Sequence, residues 1–133
     1  MRSDTQTITI ATKPKEVLSF VGDGDNLPRW AIGFARSVRR CEPGWMVMSG
    51  QGEIPTSIVV YETSGTVDFH MQSAPGIQST AYARAIPNEE GCEFIFTQMQ
   101  QPGVPDEVFE QLVAAVRHEL AALKAQLEVR CPV

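Results

Sequence analysis

Asp68 and His70 stand two residues apart. Residues at i and i+2 of a strand point to the same side, so a carboxylate there can sit beside an imidazole and work with it as an acid–base pair. Tyr82 and Arg84 share that spacing. A phenol can give or take a proton, and a guanidinium can polarise a carbonyl, stabilise an enolate or hold an anion. The other histidine, His118, has no motif around it, and nothing matches His-Glu-x-x-His, paired Cys-x-x-Cys, Gly-x-Ser-x-Gly or Ser-x-x-Lys. Gly22-Asp-Gly-Asp-Asn26 lacks the Gly-Lys-Ser/Thr of a phosphate loop. As a calcium loop it fails at Leu27 and Pro28, which stand where a ligand and the turn glycine belong. Cys41, Cys92 and Cys131 are odd in number and widely spaced, which fits reduced structural thiols better than disulfides or a zinc site. No metal and no cofactor is expected.

The elements that must position these groups follow from patterning. From Asp106 to about Val129, Phe109, Leu112, Val113, Val116, Leu120, Leu123 and Leu127 fall on one stripe at ~100° per residue. Pro105 and Asp106 open this helix and Pro132 closes it. At ~1.5 Å per residue it is a rod on the order of 35 Å long, and it needs a large apolar surface to lie on. His118 falls on its wet side.

Upstream, Thr7 to Ile10 alternates as a strand. Thr12 is placed to cap a short helix through Val21, and Asn26 to cap a second from Leu27 to about Ala35, with Trp30 and Phe34 on one face. Six strands follow: Val38 to Glu42, Trp45 to Ser49, Glu53 to Tyr61, Thr66 to Gln72, Ile77 to Ile86 and Cys92 to Met99. Short turns between them predict an antiparallel meander. With hairpins closed at Ser64-Gly65, at Ser73 to Gly76 and at Pro87 to Gly91, the bulkier face carries Ile58, Val60, Val67, Phe69, Met71, Thr80, Tyr82, Arg84, Phe94 and Phe96. That face is expected to meet the long helix. Asp68 and His70 then lie on the wet face. A one-residue slip in a hairpin would reverse a strand.

The chain resembles the START-like (SRPBCC) helix-grip superfamily, which includes polyketide cyclases and dehydrases, lipid-transfer domains and plant ligand-binding proteins. The stretches most similar to bacterial members are Asn26-Leu-Pro-Arg-Trp30, Gly65-Thr-Val-Asp-Phe69, Tyr82-Ala-Arg84 with Pro87-Asn88, and Pro105-Asp-Glu-Val-Phe109 with Glu119-Leu120. The resemblance spans nearly the whole chain and implies an α+β fold. It further implies a curved seven-stranded antiparallel sheet that grips the long C-terminal helix, with a cavity between them and two short helices between the first two strands. It carries over no catalytic residue, because the superfamily holds carriers, sensors and enzymes together.

The 133 residues are expected to form one domain, and 43% hydrophobic with 20% charged residues is ordinary for a globular protein. A net charge of −5 argues against nucleic acid as main partner. No apolar run approaches a membrane span, and the N-terminus has no signal core, so the expectation is a cytoplasmic protein, monomer or homodimer. Its expected partner is a small hydrophobic molecule, lipid-like or aromatic and polyketide-like, with an anionic group as an option. The expected ligand-binding residues are Trp30, Phe34, Phe69, Tyr82, Arg84, Phe94, Phe96, Phe109 and Val113. Arg84 can anchor an anion, pair with Glu62 or reach out of the cavity mouth. A cyclase or dehydratase using Tyr82 and Arg84, and an interaction domain with a vestigial pocket, are the competing readings.

Overall fold

The computed structural model describes residues 1–74 and 76–129. Cys131, Pro132 and Pro75 of the expected Ser73 to Gly76 turn lie outside them. In chain order the elements are β1 (Ser3–Ile10), α1 (Pro14–Val21), a 3-10 turn (Gly24–Asn26), α2 (Leu27–Trp30), β2 (Ser37–Cys41), β3 (Gly44–Ser49), β4 (Gly52–Tyr61), β5 (Thr66–Ala74), β6 (Ile77–Asn88), β7 (Gly91–Met99) and α3 (Asp106–Leu127). The strands form one antiparallel sheet in the order β1-β7-β6-β5-β4-β3-β2.

Hydrogen bonds from side chains hold α3 along β1. Gln6 Nε2 donates to the Val113 carbonyl (2.8 Å), Lys124 Nζ to that of Thr9 (2.8 Å), and Thr12 Oγ1 to that of Leu127 (3.0 Å). Thr12 therefore ties two elements together and does not cap α1, whose N-cap is Lys13. Asn26 does stand at the N-cap of α2, but its side chain makes no capping bond: its Nδ2 donates to the Phe20 carbonyl, while Asp23 caps the 3-10 turn. The helix expected through Ala35 stops at Trp30. Three residues on, the Gly33 N–H is taken by the Glu119 carboxylate of α3, so it makes no helical bond to a backbone carbonyl.

On the inner side of the sheet, Ile10, Val47, Val67, Phe69 and Phe94 join Val17, Val21, Leu27 and Trp30 from the short helices, and Val116, Leu120 and Leu123 from α3. Burying each large side chain stabilises the fold by about 1.5–3 kcal/mol.

The expected faces hold for every compared strand but β6. Ile58 lies opposite Phe69, and Val60 opposite Val67. That differs from the expected pairing by two residues, which leaves the faces unchanged. Around β6 the slip is by one. Glu89 and Glu90 alone turn the chain between Asn88 and Gly91, with Glu89 in the left-handed region at φ 54°. On the other side an irregularity between Gln72 and Ala74 shifts the β5 pairing. Thr80 therefore faces His70, and Ala85 faces Phe94. Ala81, Ala83 and Ala85 point inward and are buried, and their small side chains let α1 pack against β6. Thr80, Tyr82 and Arg84 lie on the outer face.

The α3 stripe needs one correction. Leu112 is 45% exposed, while Glu119 is only 8% exposed. Both sit on the same flank of the stripe. The loop 31–36 covers that flank at Ala115 and Glu119, where a Cβ on Gly33 would stand 3.1 Å from the Ala115 Cβ. His118 is exposed as expected.

Candidate ligand-binding interior

The sheet presents an aromatic layer to the short helices and α3. Trp30 of α2 meets Phe69 of β5 edge to face, with centroids 6.0 Å apart, and Phe69 meets Phe96 of β7 at 5.9 Å. Edge-on and tilted contacts of this kind add about 0.5–1.5 kcal/mol each beyond area burial. Phe94 and Phe109 are fully buried, while Phe34, Phe96 and Val113 are half-buried. Phe109 sits near the start of α3 with the Arg2 guanidinium over its ring at 5.1 Å.

Seven of the nine residues expected to line a binding site thus lie within the fold. The other two do not. Tyr82 is 47% exposed, and Arg84 is exposed with its Nε donating to the Ser64 carbonyl at 3.3 Å. Both were misplaced by the one-residue slip on either side of β6. An interior phenol–guanidinium pair has no geometric basis here, and Arg84 does not hold Glu62. Asp68 and His70 face outward as expected. His70 Nδ1 hydrogen-bonds across to Thr80 Oγ1 (2.9 Å) and lies 3.1 Å from Gln78 Nε2.

Of the polar groups that do reach inward, Glu119 and Gln98 were missed, and Trp30 was expected as one of the binding aromatics. Glu119 accepts a hydrogen bond from the Gly33 N–H at 3.1 Å, and the Phe34 N–H also favours its charged form. Burial outweighs both and pushes its carboxyl up to about 7. Its position carries a signal: it stands three residues after Val116 and four before Leu123, both buried on the stripe. Trp30 is 3% exposed, and its Nε1–H has no acceptor; the buried Gln98 Nε2 lacks one too. A buried donor left unpaired costs about 1–3 kcal/mol. Gln98 follows Phe96 by two residues, on the same face of β7. Opposite it on β1, Asp4 accepts from Gln6 Nε2 at 2.9 Å.

Two hollows open elsewhere. One, of about 350 Å³, lies under α1 and the 3-10 turn, lined by Leu18, Trp45, Val60, Asp23, Asp25 and Glu62 among others. There Trp45 Nε1 donates to Asp25 Oδ1 (3.1 Å) and the Arg40 guanidinium stacks over its ring. The second, of about 250 Å³, is on the outer face beside His70, Cys41 and Pro55. Neither is lined by α3.

Of the cysteines, Cys41 is an exposed free thiol, and Cys92 is a buried one whose ionisation burial pushes up to about 11. Among the described residues no group of acidic, histidine and cysteine side chains could hold a metal ion, and no helix is long and apolar enough to cross a membrane.

A family model described as polyketide cyclase / dehydrase and lipid transport matches residues 1–128. No curated protein matches the chain. Among solved structures, XoxI from Bacillus cereus aligns with a TM-score of 0.76 at 18% identity, over 96% of each chain. The di-domain ARO/CYC BexL of the BE-7585A biosynthetic pathway aligns at 0.77 and 19% identity, over 96% of this chain and 47% of that one. Ara h 8.0201 aligns at 0.68 and 15% identity, over 95% and 97%. The fold is the helix-grip fold.

Proposed function

Because the chain belongs to the polyketide cyclase / dehydrase and lipid transport family, we propose that it binds a small hydrophobic molecule between the sheet and α3. The observation that supports this most directly is the unpartnered Trp30 N–H inside an aromatic layer. Packed cores seldom leave such a donor unpaired, and a ligand oxygen would complete it. The half-buried Phe34, Phe96 and Val113 are the side chains that can give way to an occupant. The hollow under α1 is the poorer candidate, since its wall carries Asp23, Asp25, Glu62 and Arg40. The whole chain, 1–133, acts as one binding domain in this reading.

The test uses N-phenyl-1-naphthylamine, a neutral apolar fluorophore. The expected result is saturable 1:1 binding with energy transfer from Trp30 that survives Trp45→Phe. Native mass spectrometry of the purified protein should also find a bound small molecule. Absent or non-saturating binding would instead favour the interaction-domain reading, which draws on the two hollows lying away from α3.

A further inference from the structure

On the outer face of the sheet three large side chains stand exposed: Val59 and Tyr61 on β4, and Tyr82 on β6. The register sets them in two neighbouring rows. One row runs Tyr61, Thr66, Arg84, Ile95 across β4, β5, β6 and β7, and the other runs Val59, Asp68, Tyr82, Thr97. Directly opposed residues share a face, so both rows look outward. Their only charges are Asp68 and Arg84, which are diagonal neighbours. No ion pair joins the two. Arg84 Nε turns instead to the Ser64 carbonyl (3.3 Å), and among the described residues Asp68 has no hydrogen bond or ion pair. Strands lie ~4.8 Å apart, and side chains on one face recur every ~6.8 Å along a strand. Asp68 and Arg84 therefore stand at opposite corners of a cell whose other corners are Thr66 and Tyr82.

We propose that this face is where two copies of the chain associate, each copy's Asp68 meeting the other's Arg84 around the Tyr82 and Tyr61 rings. A second copy laid face to face, about a two-fold axis that bisects the line from Asp68 to Arg84, seats each charge on its opposite, twice over. On the same lattice that axis passes roughly 1.5 Å from the positions of Tyr82 and of Tyr61, so each tyrosine meets its own counterpart. Charge decides the occupant. A basic partner would be drawn to Asp68 and repelled by Arg84, and an acidic partner the reverse. A patch with one charge of each sign fits its own copy turned over, and it is where chains of net charge −5 can meet with least repulsion. Tyr and Arg are also residues that interfaces favour. The face that β4 to β7 offer is small, on the order of 400 Å² per copy, about half of what a standard interface buries. The dimer is therefore weak and reversible, half formed at a concentration on the order of 0.1 mM.

Sedimentation velocity between about 10 µM and about 1 mM, with thermal melts of every variant alongside, provides the test. The unaltered chain is expected to pass from monomer to dimer over that range. Asp68→Arg and Arg84→Asp each set like charges against one another across the axis, and each is expected to weaken association at least tenfold. An equimolar mixture of the two is expected to regain it, because each reversed charge then faces its opposite on the other variant. Should a reversal unfold the chain, Asp68→Asn and Arg84→Gln remove the charges instead, and each is expected to weaken association about threefold. A chain that stays monomeric at about 1 mM would overturn the inference. So would folded reversals, or folded neutral variants, that dimerise as well as the parent. A mixture of folded reversals that associates no better than either alone would overturn it too, since a merely damaged surface is not repaired by a second damaged one.

Discussion

Glu119 makes stability depend on pH in a direction opposite to most carboxylates. Its proton is held to about pH 7 in the folded chain, against 4.5 for an ordinary glutamate. Between those values the folded state binds more protons than the unfolded one, so stability falls as pH rises through that window and stays lowered above it. At ~1.36 kcal/mol per pH unit the loss is at most about 3 kcal/mol. Glu119→Gln removes it. Denaturant melts at pH 5 and pH 8 are expected to show the variant gaining on the parent by roughly 1–3 kcal/mol at the higher pH. Glu93 is pulled the other way by Thr7 and Thr9, but it is present in both proteins and cancels. An unchanged difference between the two pH values would mean that Glu119 ionises as freely as in the unfolded chain. Tyr82 and Arg84 lead to a contrasting expectation. On the outer face, Tyr82→Phe and Arg84→Met should leave the affinity for N-phenyl-1-naphthylamine within about threefold, under ~0.7 kcal/mol. A hundredfold loss with the fold intact would place them back inside.

For α3, one flank is buried where the loop 31–36 lies against it and open at Leu112. Leu120→Asp puts a carboxylate into the core and is expected to cost about 3–5 kcal/mol, whereas Leu112→Asp should cost about 0.5 kcal/mol or less. Similar thermal melting of the two would contradict the burial described. The long helix and the meander were legible because their periods, 3.6 and 2, run over many residues. The face of β6 was not. It depends on whether Pro87 and Asn88 belong to the turn or to the strand, and on one extra residue near Gln72. Single-residue events of that kind leave little trace in a hydrophobicity pattern, yet they reverse a whole strand. α2 was read as too long for a similar reason. It ends where Ala31 leaves the helical backbone at ψ 53°, and the Gly33 N–H beyond it bonds a carboxylate 86 positions away, which no local signal announces. Glu119 was passed over because an acid inside an apolar stripe reads as a surface residue until a partner is found for it.

At the scale of the molecule, β1 is paired along its length with β7, from Ser3 opposite Met99 to Ile10 opposite Cys92. β1 is therefore finished by a strand made much later. At the usual pace of synthesis, about 5–20 residues per second, β1 waits on the order of 4–18 s for its partner. Its inner face, with Ile8 and Ile10, is exposed in that interval. The threonines at positions 5, 7 and 9 keep its other face polar meanwhile, and after pairing they bond across to Thr97 and Glu93. So wide a separation of partners also predicts slow refolding, in milliseconds to seconds, because the chain must close a long loop before this contact returns anything. A peptide of residues 1–12 added in trans to a chain lacking them is expected to restore the sheet. A truncated chain that melts like the parent would show that the waiting strand is dispensable. Until it docks, β7 presents an open row of N–H and C=O groups to whatever strand arrives first, so a nascent copy on the same message competes with the chain's own beginning.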